Sequence, residues 1–288
     1  MTAHADGRAS AFTSTSASPI TSPATSSFAD EGSGDAVLLS ASLGTTAAMW
    51  APQRTRLRTE RRVIAYDHRG HGASPVPPGP YDLADLVHDA VALLDSLDIE
   101  SADVVGISLG GTVGLALAAD HPDRVRSLVT VNAPAFADDP AFWRRRAAAI
   151  REQGMKAATS GLLGRWYAPA VAQAPTALVQ ETVEGVGRLD PEGYAACCEA
   201  IAGTDLRDRL AAVRCPVLVV NGLADAVVPA HHARTIAAAV PGARQVELPD
   251  AGHLLSQEIP DRLHTLLTEH WTSPTATAAA ADARKATP

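Results

Sequence analysis

Six short apolar runs limit what this chain can fold into. They are "AVLLS" (36–40), "RVIAYD" (62–67), "ADVVGI" (102–107), "SLVTVN" (127–132), "PVLVVNG" (216–222) and "RQVELP" (244–249). Most are unbroken rather than alternating, the pattern of strands covered on both faces. Helical patterns separate them at 83–98, 112–122, 229–240 and 260–271. Strand followed by helix, repeated, predicts an α/β fold with a mostly parallel central sheet flanked by helices. Residues 138–206 break the rhythm. They hold only helical patterns, such as "FWRRRAAAIREQGMKAATSGLLGRWY". That predicts an inserted all-helical cap over the strand ends, with 35–137 and 207–272 as the core.

The flanks read differently. Residues 1–34 are rich in Ser, Thr, Ala and Pro, have few large apolar residues and show no period. Such a segment cannot bury enough surface to offset its ordering entropy, so disorder is expected. The tail 273–288 reads the same way.

The net charge of −8 with His neutral disfavours nucleic acid and anionic membrane as partners. No run reaches the roughly 18 apolar residues of a membrane span. Cys197, Cys198 and Cys215 form neither a disulfide framework nor a CxxC pair. A reducing, cytoplasmic setting is expected, with the chain a monomer or small homo-oligomer.

The stretch "VVGISLGGTVG" (104–114) carries the chemistry. Gly106-Ile107-Ser108-Leu109-Gly110 matches G-x-S-x-G, a strained strand-to-helix turn that lifts a serine hydroxyl above the sheet. Alone the motif is weak. Here an apolar strand precedes it and a small-residue helix follows. Serine needs a base, and the base an orienting acid, in the chain order Ser, acid, His. Asp225 follows the strand "PVLVVNG", and His253 follows "RQVELP". Both fall at the sheet edge expected for Ser108. Asp250 is the rival acid, only three residues before His253. The amides of Leu109 and of Leu43, in "SASLGTTAAMW", are the expected oxyanion donors, worth about 3 kcal/mol each. His68 and His71 in "YDHRGHGAS" lack the carboxylate cluster of a metal site. Asp67 and Arg69 are expected to hold that loop, and His231 and His232 to face solvent.

Together "SLGTTAAMW", "YDHRGHGASPVPPGPY", "GISLGGTVG", "RWYAP", "PEGYAACCEAI" and "AGHLLSQEIP" resemble the α/β-hydrolase fold, and more narrowly the 3-oxoadipate enol-lactonases. The chain departs from that pattern at Ala41, where Asn is usual, and at Leu255-Ser256, where Ser-Asn is usual. It also carries a Ser/Thr-rich stretch where a leading hairpin is usual. The resemblance implies cofactor-free and metal-free hydrolysis of a small anionic lactone through an acyl-Ser108. Its free carboxylate would need a cap partner, for which Trp143, Arg165 and Trp166 are candidates; the run Arg144-Arg145-Arg146 reads as a solvated helix face. A general carboxylesterase of the same fold and a non-catalytic ligand sensor are the alternatives.

Overall fold

The computed structural model describes residues 26–273. Seven strands form one sheet: β1 (Phe28–Glu31), β2 (Ala36–Ser40), β3 (Arg62–Tyr66), β4 (Ala102–Ile107), β5 (Val125–Val131), β6 (Val217–Gly222) and β7 (Arg244–Leu248). Their spatial order is β1-β3-β2-β4-β5-β6-β7. Only β1 runs antiparallel to its neighbour; every other pairing is parallel. Strands β2, β4 and β6 are buried along their whole length. This is why their sequences run apolar without alternation.

The core helices are α1 (Ala51–Leu57), α2 (Leu83–Ser96) and α3 (Leu109–Asp120). Asp82 caps α2 through a reciprocal capping box with Asp85. Helix α3 begins three residues before the sequence pattern placed it, directly after Ser108. The connection from β2 leads one way along the sheet to β3, whereas β4 lies on the other side of β2. The C-terminal ends of β2 and β4 therefore flank a switch point, the usual ligand crevice of an open parallel sheet.

Between β5 and β6 lie six helices: α4 (Pro140–Gln153), α5 (Lys156–Thr159), α6 (Leu162–Trp166), α7 (Pro169–Gln173), α8 (Ala177–Val186) and α9 (Pro191–Ala202). The ends of this insertion meet. Phe136 and Asp205 form an antiparallel bridge, and the Leu206 amide donates to Ala135 O at 2.8 Å. The chain closes with α10 (His231–Ala239), α11 (Leu255–Glu258) and α12 (Pro260–Trp271). Among the described residues no helix is long and apolar enough to cross a membrane.

The reading of 1–34 as disordered needs correction at one place. Phe28–Glu31 forms β1 and pairs in register with β3, from Phe28↔Tyr66 to Glu31↔Val63. Four residues of edge strand, with Phe28 and Asp30 exposed and Ala29 and Glu31 only half-buried, give no strand signal in sequence; the partner strand supplies the order. Arg54 and Arg62 secure it through Glu31 and Asp30 at 2.6 and 2.7 Å. Residues 1–25 and 274–288, also read as disordered, lie outside the described residues.

Candidate active site

Ser108 links β4 to α3 with φ 55° and ψ −120°. An L-residue adopts a positive φ at a cost, which the surroundings must hold in place. The flanking glycines explain how. A Cβ on Gly106 would sit 2.2 Å from Gly110 O, and one on Gly110 would sit 2.2 Å from Ser40 O. The backbone of the turn is so close to itself and to β2 that neither position admits a side chain. The Ser108 amide is anchored to Val131 O at 2.9 Å.

Asp225 stands in the loop after β6, and His253 in the loop after β7. The Nδ1 of His253 lies 2.7 Å from Asp225 Oδ2. A carboxylate only accepts, so Nδ1 carries the proton and Nε2 is left as the basic nitrogen. Both side chains are closed off from solvent, at 1% and 0% exposure. The other oxygen of Asp225 accepts from the amides of Val227 and Val228 at 2.7 and 3.1 Å, fixing the carboxylate plane. Asp250, the rival acid, points to solvent.

The loop after β2 is pinned by two buried histidines of opposite tautomer. His68 Nε2 donates to Ala41 O at 3.0 Å. His71 Nε2 accepts from the Gly44 amide at 2.9 Å, while its Nδ1 donates to Arg69 O at 3.3 Å. Burial pushes the two imidazoles down, to about 3 for His68 and about 4 for His71, so both are neutral near pH 7. Between those pins, the amides of Ser42, Gly44 and Thr45 all donate within the protein. That of Leu43 meets no acceptor among the described residues. Leu109 opens α3, where first-turn amides lack an intrahelical acceptor. Asp67 and Arg69 brace the next loop. Asp67 accepts from Ala47 and Ala73 amides, and Arg69 forms two hydrogen bonds with Asp89.

One cavity collects these groups. Ser108, His253, Leu43 and Leu109 line its floor, and Trp143, Arg165 and Trp166 of the cap line it with them. Arg146 and Tyr194 also face it. The arginine run is therefore split. Arg144 and Arg145 are exposed, whereas Arg146 is half-buried and turns inward to the Tyr194 hydroxyl. A helix periodicity of 3.6 separates neighbours by about 100°, so three adjacent arginines cannot share one face. His232 needs correction too. It is buried, with Nε2 3.0 Å from Asp138 Oδ2, while His231 alone is exposed and meets Asp138 Oδ1 at 3.1 Å. Phe136 packs against His232, which draws that ring inward.

A family model described as alpha/beta hydrolase fold matches residues 35–258. The chain belongs to the α/β-hydrolase fold family. It is 38% identical over 192 residues to 3-oxoadipate enol-lactonase 2 of Acinetobacter baylyi, covering 67% of this chain and 72% of the relative. It is 32% identical over 243 residues to a protein named as a carbamate hydrolase, RutD of Azorhizobium caulinodans, covering 82% and 91%. The crystal structure of the enol-lactonase from Burkholderia xenovorans LB400 superposes with a TM-score of 0.82 at 36% identity, covering 86% and 96%.

Within this α/β-hydrolase, sequence reading missed the residue that joins the loops. Asn132 directly follows β5, with φ 46°. Its Nδ2 donates to Gly252 O and His253 O at 2.9 and 2.8 Å, and its Oδ1 accepts from the Gly222 amide at 2.8 Å. One buried amide thus ties the end of β5 to the end of β6 and to the His253 loop. The available signal was a single Asn directly after the buried end of β5. Glu258 was missed as well. It accepts from the Gly252 and Ala168 amides at 3.0 and 3.3 Å, joining the His253 loop to the cap.

Proposed function

We propose that this α/β-hydrolase cleaves the ester bond of a small lactone, 3-oxoadipate enol-lactone, through a Ser108–His253–Asp225 triad. The observation that carries the reading is the closed His253–Asp225 pair beside the strained Ser108 turn, in one cavity with two arginines. The similarity to enol-lactonases supports the choice of substrate.

Ser108 Oγ attacks the lactone carbonyl while His253 Nε2 takes its proton. The carbonyl oxygen becomes an oxyanion held by the amides of Leu43 and Leu109. Collapse breaks the ring C–O bond. The enol oxygen leaves, taking the proton from His253, and relaxes to the ketone. Water then gives a proton to His253 Nε2 and attacks the acyl-Ser108 carbonyl. Collapse of this second intermediate returns the proton to Ser108 and frees 3-oxoadipate. Asp225 holds the imidazole in the productive tautomer and stabilises its charged form. Trp143, Trp166 and Arg165 form the roof over the substrate. None of these steps calls on a cofactor.

Loss of the enol-lactone's ultraviolet absorbance tests the reading. Turnover should greatly exceed that of a plain aryl acetate, and Ser108→Ala should lose at least about 10⁴-fold in kcat. A lactone left untouched while the acetate turns over would overturn the substrate and keep the serine chemistry. A carbamate is the second reading, favoured by the similarity to RutD. Release of ammonia from carbamate faster than lactone cleavage would select it. A single, stoichiometric turnover would mark a sensor instead.

A further inference from the structure

Two histidines and one carboxylate meet outside the catalytic cavity. His231 and His232 open α10, and Asp138 lies in the segment that leads from β5 into α4. His231 Nε2 is 3.1 Å from Asp138 Oδ1, and His232 Nε2 is 3.0 Å from Asp138 Oδ2. The three residues bring their donor atoms within 4.8 Å of one another. Adjacent residues of a regular helix point about 100° apart, so imidazoles that are neighbours in sequence seldom aim at one point. Here the ring centres are 4.2 Å apart and the rings tilted by only 34°, and both Nε2 atoms reach the same carboxylate. None of the three residues lines the cavity that holds Ser108.

The donor set selects the ligand. Two imidazole nitrogens and a carboxylate oxygen suit zinc and its transition-metal neighbours, whereas calcium and magnesium take oxygen donors. Zinc holds such donors at about 2.0–2.1 Å, which puts them about 3.3 Å from one another in a tetrahedron. The two histidine–aspartate distances are already close to that. The N-terminus of α10 carries partial positive charge, so a cation held by charge alone would be disfavoured there and nitrogen ligation has to hold it. His232 is 3% exposed, and Phe136 packs against it with ring centres 4.7 Å apart, so one ligand is fixed in advance. Asp138 and His231 are each 47% exposed, which leaves an entry path and a side for water as the fourth ligand. Arg207, stacked 4.6 Å from the Phe136 ring centre, is itself neutralised by Asp205.

We propose that Asp138, His231 and His232 form a binding site for one divalent transition-metal ion, zinc above all, and that the bound ion clamps the start of the cap to α10. Without metal, each Nε2 donates its proton to Asp138. On binding, the ion takes both Nε2 lone pairs, and each ring carries its proton on Nδ1 instead. At His232 that nitrogen has no partner among the described residues, so the site is weaker than one with a complete outer shell. Asp138 lies two residues after Phe136 and His231 three after Val228, and Phe136 and Val228 both line the catalytic cavity. The ion therefore joins two segments that carry wall residues of that cavity. It takes no part in the chemistry at Ser108, and the site stands whether or not the lactone is the substrate.

The test titrates Zn²⁺ into the full chain, stripped with a chelator and dialysed, and follows the heat of binding. A single ion should bind per chain. His231→Gln and Asp138→Asn, both at exposed positions, should each weaken binding at least about tenfold, since even an outer-shell partner is worth that much. Zinc at about a hundred times its Kd should raise the Tm of the unaltered chain by about 5 °C or more and slow proteolytic cleavage within the cap. Neither effect should appear in the variants at the same zinc concentration, and Mg²⁺ should produce neither in any chain. Co²⁺ added to the unaltered chain should give the visible bands of a four-coordinate ion, a readout that does not depend on a variant folding. Absence of zinc binding would overturn the proposal and leave Asp138 a hydrogen-bond acceptor only. Binding that survives both substitutions would also overturn it, since the ion would then sit elsewhere, as at His253 or the cysteines. So would Mg²⁺ acting as well as zinc, or Co²⁺ showing only its aqueous spectrum. Zinc bound at these residues with cap cleavage unchanged would reject the clamp.

Discussion

Three hydrogen bonds converge on Asn132, a residue outside the proposed chemistry. Replacing it with Ala would leave the Gly222 amide and the Gly252 and His253 carbonyls buried and unpaired. At about 1 kcal/mol or more for each abandoned group, the cost should reach roughly 3 kcal/mol. Thermal unfolding should register it as a lower Tm. Because the His253 loop loses its tether to β5, kcat should fall more than KM rises. An unchanged Tm would show that water replaces the side chain. Gly106→Ala is expected to be worse. Its Cβ has no room within 2.2 Å of a backbone oxygen, and only movement of the turn could make space. Soluble, active Gly106→Ala would contradict the packing described here.

At the scale of an element, the loop after β2 depends on neutral histidines. His71→Ala should remove the acceptor of the Gly44 amide and loosen the neighbouring Leu43 amide. The expected result is a loss of about tenfold or more in kcat. His71→Gln offers a carbonyl oxygen in place of Nε2 and should recover part of it. The same histidines set an acid limit. Their folded pKa values of about 3 and 4 lie below the ordinary 6.5. The unfolded chain therefore takes up protons first as pH falls. The stability these groups contribute is complete above about pH 6.5 and drains away as pH drops toward 4. Urea midpoints measured from pH 7.5 to 4.5 should decline across that window, and the decline should be shallower in His71→Gln. A flat profile would mean that the imidazoles are not buried neutral.

For the whole molecule, the question is how the cap stays on the core. Part of the answer is backbone against backbone. A Cβ on Gly193, in α9, would lie 2.3 Å from Gly70 Cα in the core loop. This contact explains two of the motifs picked out above, "RGHGAS" and "PEGYAACCEAI": each supplies one of the glycines. Trp166 O accepts from the amide of His253 at 2.7 Å, and Tyr167 and Gln257 share a buried hydrogen bond. Gly193→Ala should push α9 off the loop and cost about 1–3 kcal/mol as an overpacked contact. Faster proteolytic cleavage between 138 and 206, with the core left intact, would report it. Unaltered cleavage would mean that the contact yields without cost.

The parallel sheet, the helical insertion and the serine turn are all legible in the order of the residues. Buried strands must be apolar on both faces, and a G-x-S-x-G turn admits no other side chains where β4 meets α3. The same order puts Ser108, Asp225 and His253 after strands, which is enough to bring them to one edge. Tertiary structure decided the rest. Only the partner strand β3 reveals β1, because a four-residue edge has too little burial to leave a pattern. Which of three adjacent arginines turns inward depends on the rotation of α4 against α9, and which of two adjacent histidines is buried depends on Phe136. The link between Asn132 and two distant loops is invisible in sequence because its partners are backbone groups, which every residue carries.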